Sequence, residues 1–502
     1  MTGLGERSAS DRLAPMLVKD VRSSLRGKLA PVFLLTAVSL QLAWALWILV
    51  WKREGMADLG AAVFLGASEI TAALVSLFVP FWAMASLAEE LDGHAEELAL
   101  VPRLGAGRVV LGKFLAALVL VALAACVLFG LGIFGAQLGG MYAGAVPFYV
   151  LPVFLGGAYW IAVGLALVAT VRVRWARSFA MIALLAWIAF ERKHLLYMLR
   201  AIQESAAEML ALMPSPWVVM GALHVLLTAG LVLAYAAGCL MHPEESRSTL
   251  LRKWGLALVL VTFAGSITAA ALGAAAHDLH WYAGRAVVYG ALVAFLVATE
   301  PDRLPRTHGK APGAGVLRRL HDVLFVSGGG RGAVFVLALV ALAVAHAVAL
   351  RWIDPTPSIS WYARPDVLVV VPSVFVLVPA GVYARWNTGP KATLRLRLGI
   401  AAAWVACGVL LLLARHEAAT TSTASQLSTG LPGDLLGMLV DPFGFDASAP
   451  LGQAPLRDIK NGLWLLFVIA ALVVNARRML RGAREVGALR SSSSTTHAAP
   501  QP

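Results

Sequence analysis

Five carboxylates lie within nine residues of one another in the first quarter of the chain: Glu89, Glu90, Asp92, Glu96 and Glu97. Acids at this density could serve acid–base catalysis, but the chain has no Gly-x-Ser-x-Gly or His-Glu-x-x-His motif beside which they would act. They could instead attract a basic surface of a soluble partner, to which Leu98 and Leu100 would add apolar contact. A solvated loop without a partner is the alternative.

The stretch from Gly107 to Lys113 has the spacing G-x-x-x-x-G-K, with which a nucleotide-binding P-loop begins. The next residue of a P-loop is Ser or Thr, whose hydroxyl binds Mg²⁺, and Phe114 occupies that position. The segment also continues directly into an apolar run. We therefore expect no nucleotide site, no catalytic residue and no cofactor in this chain.

Three further polar residues lie within apolar runs, where an ionisable group is costly and often functional. Glu69 is the only carboxylate placed well inside such a run, and it is a candidate for a transport pathway or outer gate. A hydrated structural acid is the alternative. We expect His224 and His346 to be packing residues. His277 and His280 have no second ligand cluster nearby, so no metal site is predicted.

The composition defines the environment in which these residues act. The chain has 502 residues, of which 59% are hydrophobic and 14% charged, about half the charged share of an ordinary soluble protein. Its apolar residues form long blocks, which indicates a membrane protein. The net charge of +13 lies beside these blocks, where it suits anionic lipid headgroups and not a nucleic acid.

A helix needs about 20 apolar residues to cross a bilayer. By this measure the sequence predicts an all-α, polytopic membrane protein with about twelve transmembrane helices. The predicted spans are 29–51, 62–87, 114–136, 146–171, 177–190, 217–240, 254–275, 284–299, 333–353, 367–385, 398–414 and 462–476.

The positive-inside rule assigns the two sides of the membrane. With the N-terminus in the cytoplasm, 30 of the 41 Lys and Arg residues lie in cytoplasmic segments, and both termini are cytoplasmic. The spans form two groups of six. The predicted organisation is a cytoplasmic N-terminus (1–28), a first six-span domain (29–245), a second membrane domain (250–480) and a disordered tail (481–502).

The segment between spans two and three resembles the coupling-helix signature of ABC-2-type permeases, the membrane subunits of one class of ABC transporter. The residues that match are Gly93, Glu96, Leu98, Pro102, Gly112 and Lys113, with Glu89 or Glu90 as the leading acid. His94 departs from the family's Thr, and the interval from Pro102 to Gly112 is about one residue too long. Residues 18–26 also resemble the family's amphipathic elbow helix.

This resemblance covers residues 15–245 and implies that the first six spans form an ABC-2 permease bundle, with the coupling loop at 89–113. It implies a transport subunit, an exporter, in the bacterial cytoplasmic membrane. A separate ABC ATPase would bind ATP and magnesium and press on this loop. A homodimer or a second permease subunit would complete the assembly.

Two other functions fit parts of the sequence. An ion-coupled secondary transporter suits twelve spans, but it needs ionisable residues at mid-membrane, and the chain has few. A polytopic membrane enzyme needs converging acids at a membrane face, for which Asp434, Asp441 and Asp446 are the candidates. Neither the substrate nor the role of the second domain follows from the sequence.

Overall fold

The structure is a computed structural model. It describes residues 29–51, 59–93, 106–139, 142–171, 173–204, 216–241, 248–271, 293–297, 300, 321, 323–326, 329–353 and five positions between 473 and 480. These residues are almost entirely helical, and no strand occurs among them. The chain divides into two compact units, Met1–Met241 and His242–Pro502.

Unit 1 contains six long helices, in which apolar residues and good helix formers dominate. They are α1 (Leu29–Trp51), α2 (Leu59–Gly93), α3 (Ala106–Leu138), α4 (Val146–Thr170), α5 (Arg174–Glu204) and α6 (Pro216–Leu240). A short 3-10 helix, Ala143–Ala145, precedes α4. In unit 2 the described long helices are α7 (Thr249–Ala271) and α8 (Gly329–Ile353).

Six described helical segments are long and apolar enough to cross a membrane, so the chain is a multi-pass membrane protein. They are Ala30–Trp51, Leu59–Asp92, Ala106–Leu138, Ala143–Thr170, Gly221–Leu240 and Thr249–Thr268. The predicted span 177–190 lies inside α5, which is not one of the six. The predicted spans 367–385 and 398–414 lie outside the described residues, as does most of 284–299 and 462–476, so the count of twelve stays a prediction.

Helices α2 and α4 form the centre of unit 1. Helix α2 packs against α1, α3, α4 and α5, and α4 packs against α2, α3, α5 and α6. The side chains between them include Phe64, Val75, Leu87, Ile161 and Leu165, all fully buried. Every other helix of the unit packs against α2 or α4. A displacement of α2 would therefore change the packing of most helices in the unit.

Glycines let α2 and α3 touch backbone to backbone at one end of the unit. The Gly60 amide donates to the Gly139 carbonyl oxygen at 3.1 Å. A Cβ on Gly60 would collide with the carbonyl oxygens of Gly135 and Gly139. Gly139 has a φ of 95°, a conformation that glycine adopts without strain. This end of α2 is thus fixed to α3 by main-chain atoms.

Candidate functional site

The acidic residues of the predicted coupling loop begin inside a helix. Glu89, Glu90 and Asp92 occupy the last turns of α2, which ends at Gly93. The run before Gly93 consists of residues that favour helix, so α2 continues past its apolar part. At the other flank Gly112 and Lys113 lie within α3, which begins at Ala106. Both ends of the predicted coupling loop 89–113 are therefore helical: 89–93 belongs to α2 and 106–113 belongs to α3.

The middle of that segment, 94–105, lies outside the described residues. It contains four of the residues predicted for the coupling loop: Glu96, Glu97, Leu98 and Pro102. The elbow segment 18–26, the tail 481–502 and the acids Asp434, Asp441 and Asp446 also lie outside. The roles predicted for these residues stay predictions.

An ion pair joins the two helices that flank 94–105. The Lys113 Nζ lies 2.8 Å from the Glu90 Oε1. The side chain of Lys113 is 11% exposed and that of Glu90 is 35% exposed. The lysine is therefore largely removed from water, and the carboxylate of α2 supplies the charge that compensates it. The pair holds the end of α2 against the beginning of α3.

A second ion pair ties the last residues of α2 to the beginning of α5. The Asp92 Oδ1 lies 3.0 Å from the Arg177 Nη1 and 3.4 Å from the Arg174 Nε. Arg177 is 5% exposed, and it also donates to the main-chain oxygens of Val171 at 3.0 Å and Ala88 at 3.5 Å. Arg174 donates to the Asp92 carbonyl oxygen at 3.3 Å.

These arginine contacts also suit the electrostatics of a helix end. The last carbonyls of a helix have no partner within it and carry partial negative charge. Arg174 binds one such carbonyl of α2, that of Asp92, and Arg177 reaches the Ala88 carbonyl one turn earlier. We call Glu90, Asp92, Lys113, Arg174 and Arg177 the charged clasp. The clasp fixes the end of α2 against two other helices, while Glu89 remains exposed beside it.

The predicted pathway residue, Glu69, lies in α2 about six turns before the clasp and is partly buried. Two residues after Glu69 along α2, Thr71 makes a buried polar contact with α1. Gln41 of α1 donates through its Nε2 to the Thr71 hydroxyl, which itself donates to the Ala67 carbonyl oxygen at 2.7 Å. Gln41 and Thr71 are each 1% exposed. The amide within the apolar run 29–51 was the available sequence signal for this contact.

The two histidines within predicted spans, His224 and His346, are buried. The His346 ring stacks on Phe263 with centroids 4.1 Å apart, and its Nε2 lies 2.6 Å from the Ser266 Oγ. His224 is 3% exposed, and its carbonyl oxygen accepts from the Thr228 hydroxyl at 2.8 Å. The His346 contacts link α7 to α8, whereas the His224 hydrogen bond lies within α6.

A buried charged group in unit 2 is one that sequence reasoning missed. Arg252 is fully buried in the first turn of α7, and its Nη2 lies 3.1 Å from the Glu300 Oε2. The same oxygen accepts from the Ser248 hydroxyl at 2.6 Å. The Arg252 Nη1 donates to the main-chain oxygens of Leu324 at 3.0 Å and Val326 at 2.7 Å. The sequence placed Arg252 before a span, since the apolar run begins at residue 254.

The stretch with P-loop spacing is helical. Gly107 to Phe114 is continuous helix within α3, whereas a phosphate-cradling P-loop requires non-helical backbone. Within the described ranges no group of three or more His, Cys, Asp or Glu side chains could hold a metal ion. No family model, no curated protein and no solved structure matches this chain.

Proposed function

We propose that this chain is the membrane-spanning permease subunit of an ABC-2-type exporter, driven by a separate ATPase subunit. One observation carries the proposal. The acid-rich end of α2 is bound by the charged clasp to α3 and α5, directly beside the segment 94–105 that holds Glu96 and Glu97. A docking segment has to be anchored at its flanks if force on it is to move helices, and the clasp supplies such anchors.

The clasp suggests how force would travel. A helix end without partners frays, so a push on it is lost locally. Here the push would reach α2 and α3 together through Glu90 and Lys113, and α5 through Asp92 and Arg177. Since α2 contacts four of the other helices of unit 1, its displacement would change the whole bundle. Alternation between two such arrangements is the physical basis of transport.

The remaining assignments follow from the same proposal. The partner ATPase binds ATP and Mg²⁺, and this chain hydrolyses nothing. The permease chain lies in the bacterial cytoplasmic membrane, beside anionic lipids, with both termini in the cytoplasm. A second copy or a second permease subunit completes the assembly.

The test is co-purification of the full-length chain with an ABC ATPase, followed by charge reversal of the docking segment. The double variant Glu96→Lys/Glu97→Lys should weaken the complex by about tenfold or more, because like charges would then face each other across the contact. The matched control is Glu244→Lys/Glu245→Lys, the same reversal in another segment predicted to be cytoplasmic. It should leave binding unchanged.

Two results would overturn the proposal. One is the absence of any ATPase from the purified complex. The other is normal binding and normal ATP-driven transport by the Glu96→Lys/Glu97→Lys variant. Transport that stops when the proton gradient collapses, but continues when ATP is depleted, would instead identify an ion-coupled transporter.

A further inference from the structure

Helix α2 is bound to different neighbours at its two ends. Its first half is fixed to α3 by the Gly60–Gly139 backbone contact and to α1 by the Thr71–Gln41 contact. Its last residues are fixed by the charged clasp. The helix has 35 residues, which corresponds to a length of about 52 Å. If it moved as a rigid rod, both sets of contacts would have to break or move together.

Pro80 lies between these two ends and weakens the helix there. Proline has no backbone N–H, so the Ser76 carbonyl lacks the donor that residue 80 would supply in an unbroken helix. The proline ring also crowds the preceding turn, and sharp bends in long helices occur mostly at such positions. Pro80 is buried within the bundle, so its effect is exerted among packed helices. Bending costs less here than elsewhere in α2.

The surface of α4 that faces this part of α2 has a glycine on either side of Pro80, and α2 side chains pack against both glycines. A Cβ on Gly157 would lie 2.5 Å from the Val75 Cγ1, and one on Gly164 would lie 2.8 Å from the Met84 Cγ and 3.6 Å from the Pro80 carbonyl oxygen. The two glycines are seven residues apart and therefore share a face of α4. Val75 and Met84 of α2 therefore pack directly against the α4 backbone, and a tilt of α2 would move them over positions where α4 has no side chain.

We propose that α2 is jointed at Pro80: the segment 81–93 tilts when the partner ATPase closes on ATP and shifts the ion pairs of the charged clasp, while 59–76 stays with α1 and with the end of α3 next to Gly139. The driving partner rests on the proposed function, whereas the joint rests on Pro80 and the two glycines of α4. Pro80 is thus a positioning residue that lets force at one end of α2 act on a bend and not on the contacts at the other end.

The experiment measures two distances by pulsed electron–electron double resonance. It uses the full-length chain with Cys126, Cys239 and Cys407 replaced by serine. Spin labels on Glu89→Cys and Thr170→Cys report the clasp end of α2 against α4. Labels on Ile70→Cys and Tyr142→Cys report the opposite end. In the complex with the ATPase, a non-hydrolysable ATP analogue should shift the first distance and leave the second unchanged.

Pro80→Ala restores the missing backbone donor and should oppose the bend. We expect the population with the shifted first distance to fall about fivefold, the factor that one net backbone hydrogen bond contributes to an equilibrium constant. Pro152→Ala in α4 is the matched control, because it also replaces a proline inside a membrane helix. It should leave both distances unchanged. Thermal melting should show Pro80→Ala to be at least as stable as the wild type.

The joint and the proposed function fail in different ways. If no ATPase binds, the proposed function is wrong, and the joint is decided in the isolated chain. There the wild type should show a broader first-distance distribution than Pro80→Ala, and identical distributions would overturn it. If the ATPase binds but Pro80→Ala shifts like the wild type, or both ends of α2 shift together, only the joint is wrong.

Discussion

The Lys113 ammonium and the Glu90 carboxylate, 2.8 Å apart, hold the end of α2 against the beginning of α3. The chain between these residues contains the acidic segment on which the proposed partner would press. The lysine is more buried than the glutamate, at 11% against 35% exposed side chain, so the loss of the carboxylate would be felt mainly by the lysine. Substitution of Glu90 should therefore change the free energy of unfolding by a measurable amount.

The first prediction concerns this pair. Glu90→Lys should lower the free energy of unfolding by about 1–3 kcal/mol, because it places a second cation beside a largely buried one. Adding Lys113→Glu to the same chain should recover part of the loss, with a coupling energy of about 1 kcal/mol or more. Denaturant titration of the two single variants and the double variant checks this. Strict additivity would show that the contact has no energetic weight.

The second prediction distinguishes the two arginines that bind Asp92. Arg177→Ala should lower the free energy of unfolding by about 1–3 kcal/mol, since it removes a buried cation with three acceptors. Arg174→Ala is the control at the same carboxylate. Its side chain is 74% exposed, so its removal should cost less than about 1 kcal/mol. Equal losses, measured by thermal melting in detergent, would contradict the role given to burial.

The third prediction concerns the contact between α1 and α2. Gln41→Leu should change the free energy of unfolding by less than about 1.5 kcal/mol, because hydrogen bonds between membrane helices contribute little and leucine fills a similar volume. Gln41→Ala should cost more, since it also leaves a cavity. Melting curves of both variants decide the order. A loss well above about 1.5 kcal/mol in the leucine variant would mean that the Gln41 amide contributes more than hydrogen bonds between membrane helices usually do.

The fourth prediction concerns the buried arginine of unit 2. Arg252→Lys should lower the free energy of unfolding by about 2–4 kcal/mol, because a lysine has one nitrogen, whereas the two Nη atoms of Arg252 reach three acceptors. Lys253→Arg is the reverse exchange at the exposed neighbouring position and should be nearly neutral. If the two exchanges have the same effect in denaturant titrations, the geometry of the guanidinium is unimportant.

Apolar block length predicted the helices of unit 1 well, because the bilayer imposes a length that the sequence has to meet. The predicted span 29–51 coincides with α1. The predicted spans 62–87 and 114–136 are shorter than α2 and α3, since helix formers continue beyond the apolar part. This difference moves Glu89, Glu90 and Asp92 from a loop into a helix.

The contacts of the site could not be predicted in the same way. Asp92 and Arg177 are 85 residues apart, and neither lies in a motif that refers to the other. Sequence placed both at the cytoplasmic side through the charge rule, which gives the side of the membrane but not the partner. Which helices are neighbours depends on side-chain packing across the bundle, and apolar blocks of similar composition do not encode it uniquely.

The burial of Arg252 constrains how the second unit is made. Its carboxylate partner, Glu300, lies 48 residues later in the chain, so the ion pair cannot form until synthesis has passed that point. Until then, water, lipid headgroups or the insertion machinery has to accommodate the guanidinium. Helix α7 can therefore take its final position only after a later part of the nascent chain has arrived beside it.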